Sequence, residues 1–275
     1  MTYRAMRRAE LDRVLGWAAE EGWNPGLEDA EPFHATDPEG FFVAEAGGRP
    51  VAAISVVNHS DSMAFLGLYI CHPDHRGQGI GFGLWRHALD HAGARSVGLD
   101  GVAAQQANYE KSGFVRAGRT VRYCGVLPGR PHRGIGPSGA RDLPALIALE
   151  ARATGYEKPR FLAAWLSDTA TRKTLVARTE GEPTGLVTIR QCRDGFKIGP
   201  LAARSETVAA ALIEAAGVVT GEARTMIDLP EGQDWLAAHC RSLGFAPVFE
   251  TARMYKGPAP RGGGLIAAAA TLELG

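Results

Sequence analysis

Leu11, Val14, Leu15 and Ala18 recur three and four apart, which predicts an amphipathic helix over Arg8–Glu20, after a short strand at Tyr3–Met6. Gly22-Trp23-Asn24-Pro25-Gly26 ends that helix, and a second short one is expected from Leu27 to Phe33. The pattern then changes. Phe41–Ala46 and Val51–Asn58 read as strands joined by the turn Gly47-Gly48-Arg49-Pro50. Asp61-Ser62 turns the chain into a third apolar run, Ala64–Cys71. The glycine-rich Arg76–Gly81 separates this run from an amphipathic one, Phe82–Ala92. A strand at Ser96–Leu99, a helix over Ala103–Lys111 and two closing strands, near Val115 and over Val121–Gly125, complete the first half.

Residues 128–137, Pro-Gly-Arg-Pro-His-Arg-Gly-Ile-Gly-Pro, read as an interdomain linker. The same order then begins again. A helix is expected over Asp142–Ala153, with strands at Thr174–Ala177 and Thr184–Cys192 around Glu180-Gly181-Glu182-Pro183. A central strand at Phe196–Leu201, a helix at Glu206–Ala216 and a strand at Thr225–Leu229 follow. Leu99-Asp100 before Gly113-Phe114 is echoed by Ile227-Asp228 before Gly244-Phe245, and both halves close with a strand ending at Gly125 or Gly257. We read this as a divergent duplication with a period of roughly half the chain. The division is a first domain over 1–127, the linker over 128–137 and a second domain over 138–275. Leu265–Leu274 is expected to form one more strand.

Composition narrows the setting. The chain has 275 residues, 45% hydrophobic and 22% charged, as in an ordinary water-soluble fold. Thirty basic and thirty acidic side chains cancel, which argues against a nucleic-acid partner or an anionic membrane. The N-terminus lacks the apolar stretch of a signal peptide, and no run reaches the ~18 apolar residues of a membrane span. The four cysteines, Cys71, Cys124, Cys192 and Cys240, form no C-x-x-C pair, so free thiols in a cytoplasmic protein are expected. His87 and His91 stand four apart on one predicted helix but lack the Glu of H-E-x-x-H and a third ligand; no metal is expected.

Arg76-Gly77-Gln78-Gly79-Ile80-Gly81 lies between strand and helix. Such a loop aims several backbone N–H groups at one point, a ready site for phosphate. A P-loop is excluded because no Lys-Ser or Lys-Thr follows, and G-x-G-x-x-G fails in every frame. A tight glycine turn remains the purely structural alternative. Arg76, Gly79 and Gly81 also fit the R/Q-x-x-G-x-G/A loop of acyl-CoA-dependent acyltransferases. Ile70-Cys71-His72-Pro73-Asp74-His75-Arg76 resembles that family's lead into the loop, and Tyr109-Glu110-Lys111-Ser112-Gly113-Phe114 its Y-x-x-x-G-F signature. In this the chain resembles the GNAT N-acetyltransferase superfamily, directly over residues 1–126, and as a whole the tandem type with one degenerate copy. The resemblance implies an α/β (α+β) fold of two tandem GNAT-like domains, each a mixed, mostly antiparallel sheet flanked by helices. The second copy lacks a G-x-G loop after Ile198–Arg204 and has Cys240 where the first has Tyr109.

The resemblance further implies acetyl-CoA as co-substrate, held by backbone groups of Ile70 and Cys71 and by the loop Gly77, Gly79, Ile80 and Gly81. Arg76, Gln78, Asn108 and Lys111 would add contacts. Tyr109 is the implied acid for the departing thiolate and the Cys71 backbone N–H the oxyanion donor; as a nucleophile, Cys71 is disfavoured because His72 points to the opposite face. Tyr69, His72, His59, Asp100 and a water chain all remain open as the base. Trp23, Asn24, Glu28 and Tyr69 are the candidates for acceptor binding. Tyr156, Arg160 and Trp165 suit either a pocket wall or a helix packing inward. The expected activity is transfer of an acetyl group to a primary amine of a small molecule, by direct attack in a ternary complex. The alternative is a non-catalytic acyl-CoA-binding or sensing module. A homodimer is compatible with the sequence.

Overall fold

The spacing of Leu11, Val14, Leu15 and Ala18 sets how the first helix lies: all four are buried on one face of α1 (Arg8–Glu20), which follows strand β1 (Thr2–Ala5). The structure, a computed structural model, describes residues 1–275. Next come α2 (Ala30–Thr36), β2 (Phe41–Ala46), β3 (Arg49–Asn58), β4 (Met63–Cys71), α3 (Ile80–Leu89), β5 (Ser96–Gly101), α4 (Gln106–Lys111) and β6 (Val115–Val126). The second half runs β7 (Ile135–Pro137), α5 (Leu143–Thr154), α6 (Pro159–Trp165), β8 (Arg172–Thr179), β9 (Glu182–Gln191), β10 (Phe196–Ala203) and α7 (Glu206–Thr220). It ends with β11 (Arg224–Pro230), α8 (Asp234–Ser242), β12 (Ala246–Lys256) and β13 (Ile266–Ala268).

Four expectations are corrected. The second helix starts at Ala30 rather than Leu27, because Gly26 bridges to Cys192 and Leu27 donates to the Gln191 carbonyl, tying this stretch to the other half. The two closing strands are one, β6, since β12 pairs with it over Val115–Cys124 and β11 over Thr120–Val126, so the two ladders overlap and leave no break. The segment read as a linker keeps Ile135–Pro137 as an edge strand on β8. The last strand stops at Ala268, and Leu272–Leu274 form a turn packed into the protein interior.

All strands join one sheet in the order β1-β2-β3-β4-β5-β12-β6-β11-β10-β9-β8-β7, with β13 added to β10. Most pairs are antiparallel; the parallel ones are β4–β5 and β10–β11. The order shows an exchange. The last long strand of the second half, β12, pairs with β5, and the last strand of the first half, β6, pairs with β11. Asp100 stands opposite Arg253 across β5–β12, and Asp228 opposite Arg122 across β11–β6. Both are bidentate ion pairs, with shortest contacts of 2.7 Å in each. The two helix ends also match. Gly113 and Gly244 take φ of +89° and +83°, and Phe114 and Phe245 donate back to the carbonyls of Tyr109 and Cys240. The repeat seen in the sequence is therefore a repeat of geometry.

Separate apolar clusters lie on the two faces of the sheet. One, around α1, α2, α5 and α6, spans both halves and includes Phe33, Trp165 and Leu274. Trp165 is fully buried there, with the guanidinium groups of Arg172 (4.5 Å) and Arg190 (4.7 Å) against its ring, so it belongs to the core and not to a pocket wall. Tyr156 is buried with Met63, Phe65 and Tyr255. No helix is long and apolar enough to cross a membrane.

Candidate active site

Strand β4 pairs with β5 only from Met63 to Leu66, and beyond Leu66 the two diverge. A register shift against β3 and a positive φ of 47° at Leu68 mark a bulge where they part. Between β4 and β3 the ladder alternates. His72 N–H donates to the Val51 carbonyl, so Ile70, two residues back, is also turned to β3, while the polar groups of Cys71 face the open gap. Ile70 thus lines the gap, but its backbone groups, expected to serve a ligand, belong to the sheet. The Cys71 carbonyl accepts from Arg76 Nε at 2.9 Å, leaving its N–H as the free group.

The gap opens onto the glycine loop. Gly77 and Gly79 have φ of +74° and +75°, conformations costly for other residues, and a Cβ at either would meet nothing within 4 Å. No N–H from Gly77 to Phe82 makes a hydrogen bond within the chain. Five of these residues, Gly77, Gly79, Ile80, Gly81 and Phe82, line the mouth of a cleft at the start of α3, walled also by β4 and Asn108. That is the arrangement an anion requires. Arg76, expected as a ligand contact, is held by Glu21 and the Cys71 carbonyl; it braces the loop against the end of α1. The Gln78 amide donates to the Asp74 carbonyl at 3.2 Å and does not line the cleft. Lys111 forms no ion pair and lines an adjoining cleft with Asn108 and Tyr109.

A third, narrower cleft, of about 80 Å³, continues inward from this gap. Trp23, Tyr69 and Gln105 line both it and the cleft at the loop. Tyr109 lines it too, its ring stacked on Trp85 at 5.2 Å. The Tyr109 hydroxyl makes no hydrogen bond within the chain and is not sealed from solvent. Burial, and then Tyr69, push its pKa up, so it remains a phenol and a donor. Tyr69 is pushed up to about 12 by burial and then by Cys71. Burial also raises the Cys71 pKa, which keeps it a thiol rather than a nucleophilic thiolate.

The other candidates lie elsewhere. Asn24 exchanges hydrogen bonds with the backbone of Asp194, and Glu28 accepts from Thr169 and Thr171; neither lines the cleft. Those threonines hold the Glu28 carboxyl below its ordinary range. Among the proposed bases, His59 is buried against Tyr156 and Phe161, its Nε2 2.7 Å from the Leu274 carbonyl and its pKa lowered to about 3 by burial and then Lys158. His72 is half-buried between Asp74 and the Trp17 ring and lines none of these clefts. Asp100 lines the cleft, but Arg253, Thr120 and Thr251 occupy its oxygens. His87 and His91 have separate partners, Tyr3 and Asp37, and no group of His, Cys, Asp or Glu is placed to hold a metal ion.

Sequence reasoning missed the far wall: Arg122 from β6, Phe249 and Thr251 from β12, and Leu272 and Glu273. No local pattern marks them, because strand exchange and the final turn deliver them. Gly67 is the one trace. A Cβ there would lie 1.9 Å from the Glu273 carbonyl oxygen, so a glycine is required for the turn to dock.

The second half has the same gap between β10 and β11, which pair only over Phe196–Ile198. There the chain fills it: β13 runs antiparallel to the freed end of β10, Ile266–Ala268 against Ala203–Leu201. The slot left open in the first half is closed in the second by the protein's own strand.

Comparison with known proteins agrees with this geometry. Residues 8–114 match the Acetyltransferase (GNAT) family and residues 146–263 an Acetyltransferase (GNAT) domain. A holothin acyltransferase from Pseudoalteromonas sp. (strain SANK 73390) is 35% identical over 273 residues, covering 97% of this chain and 92% of its own. The chain belongs to the GNAT acyltransferases and carries two such domains in tandem. Among solved structures, a protein of Pyrococcus horikoshii assigned as an acetyltransferase is 20% identical with a TM-score of 0.81, covering 100% of this chain and 95% of that one. A tandem GNAT protein from the clavulanic acid biosynthesis pathway is 17% identical with a TM-score of 0.62, over 94% of this chain and 99% of that one. Both share the fold.

Proposed function

We propose that this acyltransferase moves an acetyl group from acetyl-CoA to a primary amine of a small molecule, by direct attack in a ternary complex. The observation that carries the reading is the run of six unpaired N–H groups, Gly77–Phe82, at the mouth of a gap that leads to Tyr109. Acetyl-CoA supplies an activated thioester. The loop holds its pyrophosphate, with Asn108 and Lys111 at the side. The Cys71 N–H, turned into the gap, is the donor for the oxyanion, and Tyr109 gives its proton to the leaving sulfur. Trp23, Tyr69, Phe249 and the other apolar walls suit an acceptor with a flat or apolar body. The relative named for holothin supports a small-molecule acceptor.

Calorimetry with acetyl-CoA is expected to give one molecule per chain, because β13 fills the second gap. A hundredfold excess over Kd is expected to stabilise the fold by about 2.7 kcal/mol. Gly79→Glu, which puts bulk and negative charge among the free N–H groups, abolishes both signals while the unliganded protein still melts cooperatively. No binding by the wild type overturns the reading; two molecules per chain overturn the blocked second gap.

A further inference from the structure

The amine's proton needs an acceptor, and the central strand offers no carboxylate. The carboxylates around the acceptor cleft are nearly all committed. Asp100 is paired with Arg253, and Asp228, behind the wall, with Arg122. Glu273 is the exception. It lines the cleft from the turn that follows β13, is only 5% exposed, and forms no ion pair. Its Oε2 accepts from the Thr271 hydroxyl, whereas Oε1 has no partner within the chain and is not sealed from solvent. Its backbone is clamped against Gly67, beside the bulge where β4 and β5 part. Two cations act on it through space: Arg122, which is itself paired with Asp228, and Lys197, whose ammonium donates to the Trp23 carbonyl at 2.7 Å.

We propose that Glu273 receives the ammonium group of the acceptor and removes its proton. This rests on the N-acyl transfer reading above. Glu273 takes one proton from R–NH3⁺ and releases it to solvent. The nitrogen lone pair then forms the C–N bond and the C–S bond breaks, the electron pair leaving on sulfur. Tyr109 protonates the sulfur, and the second proton lost from nitrogen restores the phenol through solvent. The sum is amide, thiol and one proton released. The strand that closes the second copy's gap thus continues into the first copy's site and supplies its base. Around Glu273 the titratable or charged groups are Arg122 on β6, Lys197 on β10 and Cys192 after β9, with Asp100 on β5, Tyr69 on β4 and Tyr109 on α4 lining the same cleft.

The test compares wild type, Glu273→Gln and Glu273→Asp across pH, using an alkylamine that the wild type acetylates. The Gln variant is expected to bind acetyl-CoA as the wild type does but to lose about 10²–10⁴-fold in kcat/KM for the amine near neutral pH. The loss should narrow as pH approaches the amine's own pKa, where free base forms without help. The Asp variant should recover part of the activity and the wild-type pH dependence. Full activity in Gln, or a loss of equal size at every pH, overturns the proposal. Should the Gln variant fail to fold, Asp decides: a pH profile unlike the wild type's refutes the role. Acetyl-CoA binding without turnover of any amine by the wild type overturns the transfer reading itself, whatever the variants do.

Discussion

Tyr109→Phe is expected to lower kcat by about 10²–10⁴-fold, the range for loss of a positioned general acid, with acetyl-CoA affinity unchanged. The substitution is clean because the ring and the hydroxyl have separate duties. The ring packs on Trp85 and over Gly101, contacts that phenylalanine keeps. The hydroxyl bonds to nothing in the chain and opens into the cleft. Removing it costs no internal hydrogen bond, so the melting temperature should hold. Steady-state turnover and calorimetric binding, measured on the same preparation, check both halves of the expectation. Undiminished turnover removes Tyr109 from the chemistry; weakened acetyl-CoA binding makes it a ligand contact instead.

Asp29→Asn carries the largest expected loss of stability, about 3–5 kcal/mol, because it leaves buried cations without their counter-charge. Asp29 lies at the start of α2 and is 1% exposed. One oxygen meets Arg172 at 3.3 Å; the other meets Arg190 at 3.3 Å and accepts from the Gly26 N–H at 2.8 Å. Those two arginines pack against Trp165 of the second half. Burial lowers the Arg172 pKa, and Asp29 is the foremost neighbour opposing that, so the charge is sustained by this carboxylate. Asparagine fits the space and keeps an acceptor but removes the charge. Thermal unfolding should fall by roughly 2–4 °C for each kcal/mol lost. A shift below about 2 °C would mean that the arginines find other compensation, such as the carbonyls of Glu28 and Ala270 that they already reach.

The parts of this molecule legible in its sequence are those written within one element or one turn. The buried face of α1, the positive-φ glycines of the loop and the Gly-Phe turns at residues 113 and 244 each follow from residues a few positions apart. The halves' common order was legible for the same reason. What the sequence concealed depends on partners more than a hundred residues away. Glu28 reads as a free carboxylate after a turn, yet Thr169 and Thr171 take it up. Val115 and Val121 read as two strands because nothing local announces that two different neighbours will flank one long one. Glu273 sits in an apolar tail that reads as strand, and only Gly67, a lone glycine in a central strand, hints that backbone must approach there.

The exchange of β6 and β12 makes each copy depend on the other. Cut between the halves, the first would keep β5 with a bare edge and an unpaired Asp100, and the second would keep β11 with a bare edge and an unpaired Asp228. The first would also lose Phe249, Thr251, Leu272 and Glu273 from the cleft beside Tyr109. A lineage that carries this architecture can let the two copies diverge, as Cys240 in place of a tyrosine and the filled gap record, but it cannot discard either one. Each half is the other's hostage, holding a strand the other needs while its own is held in return.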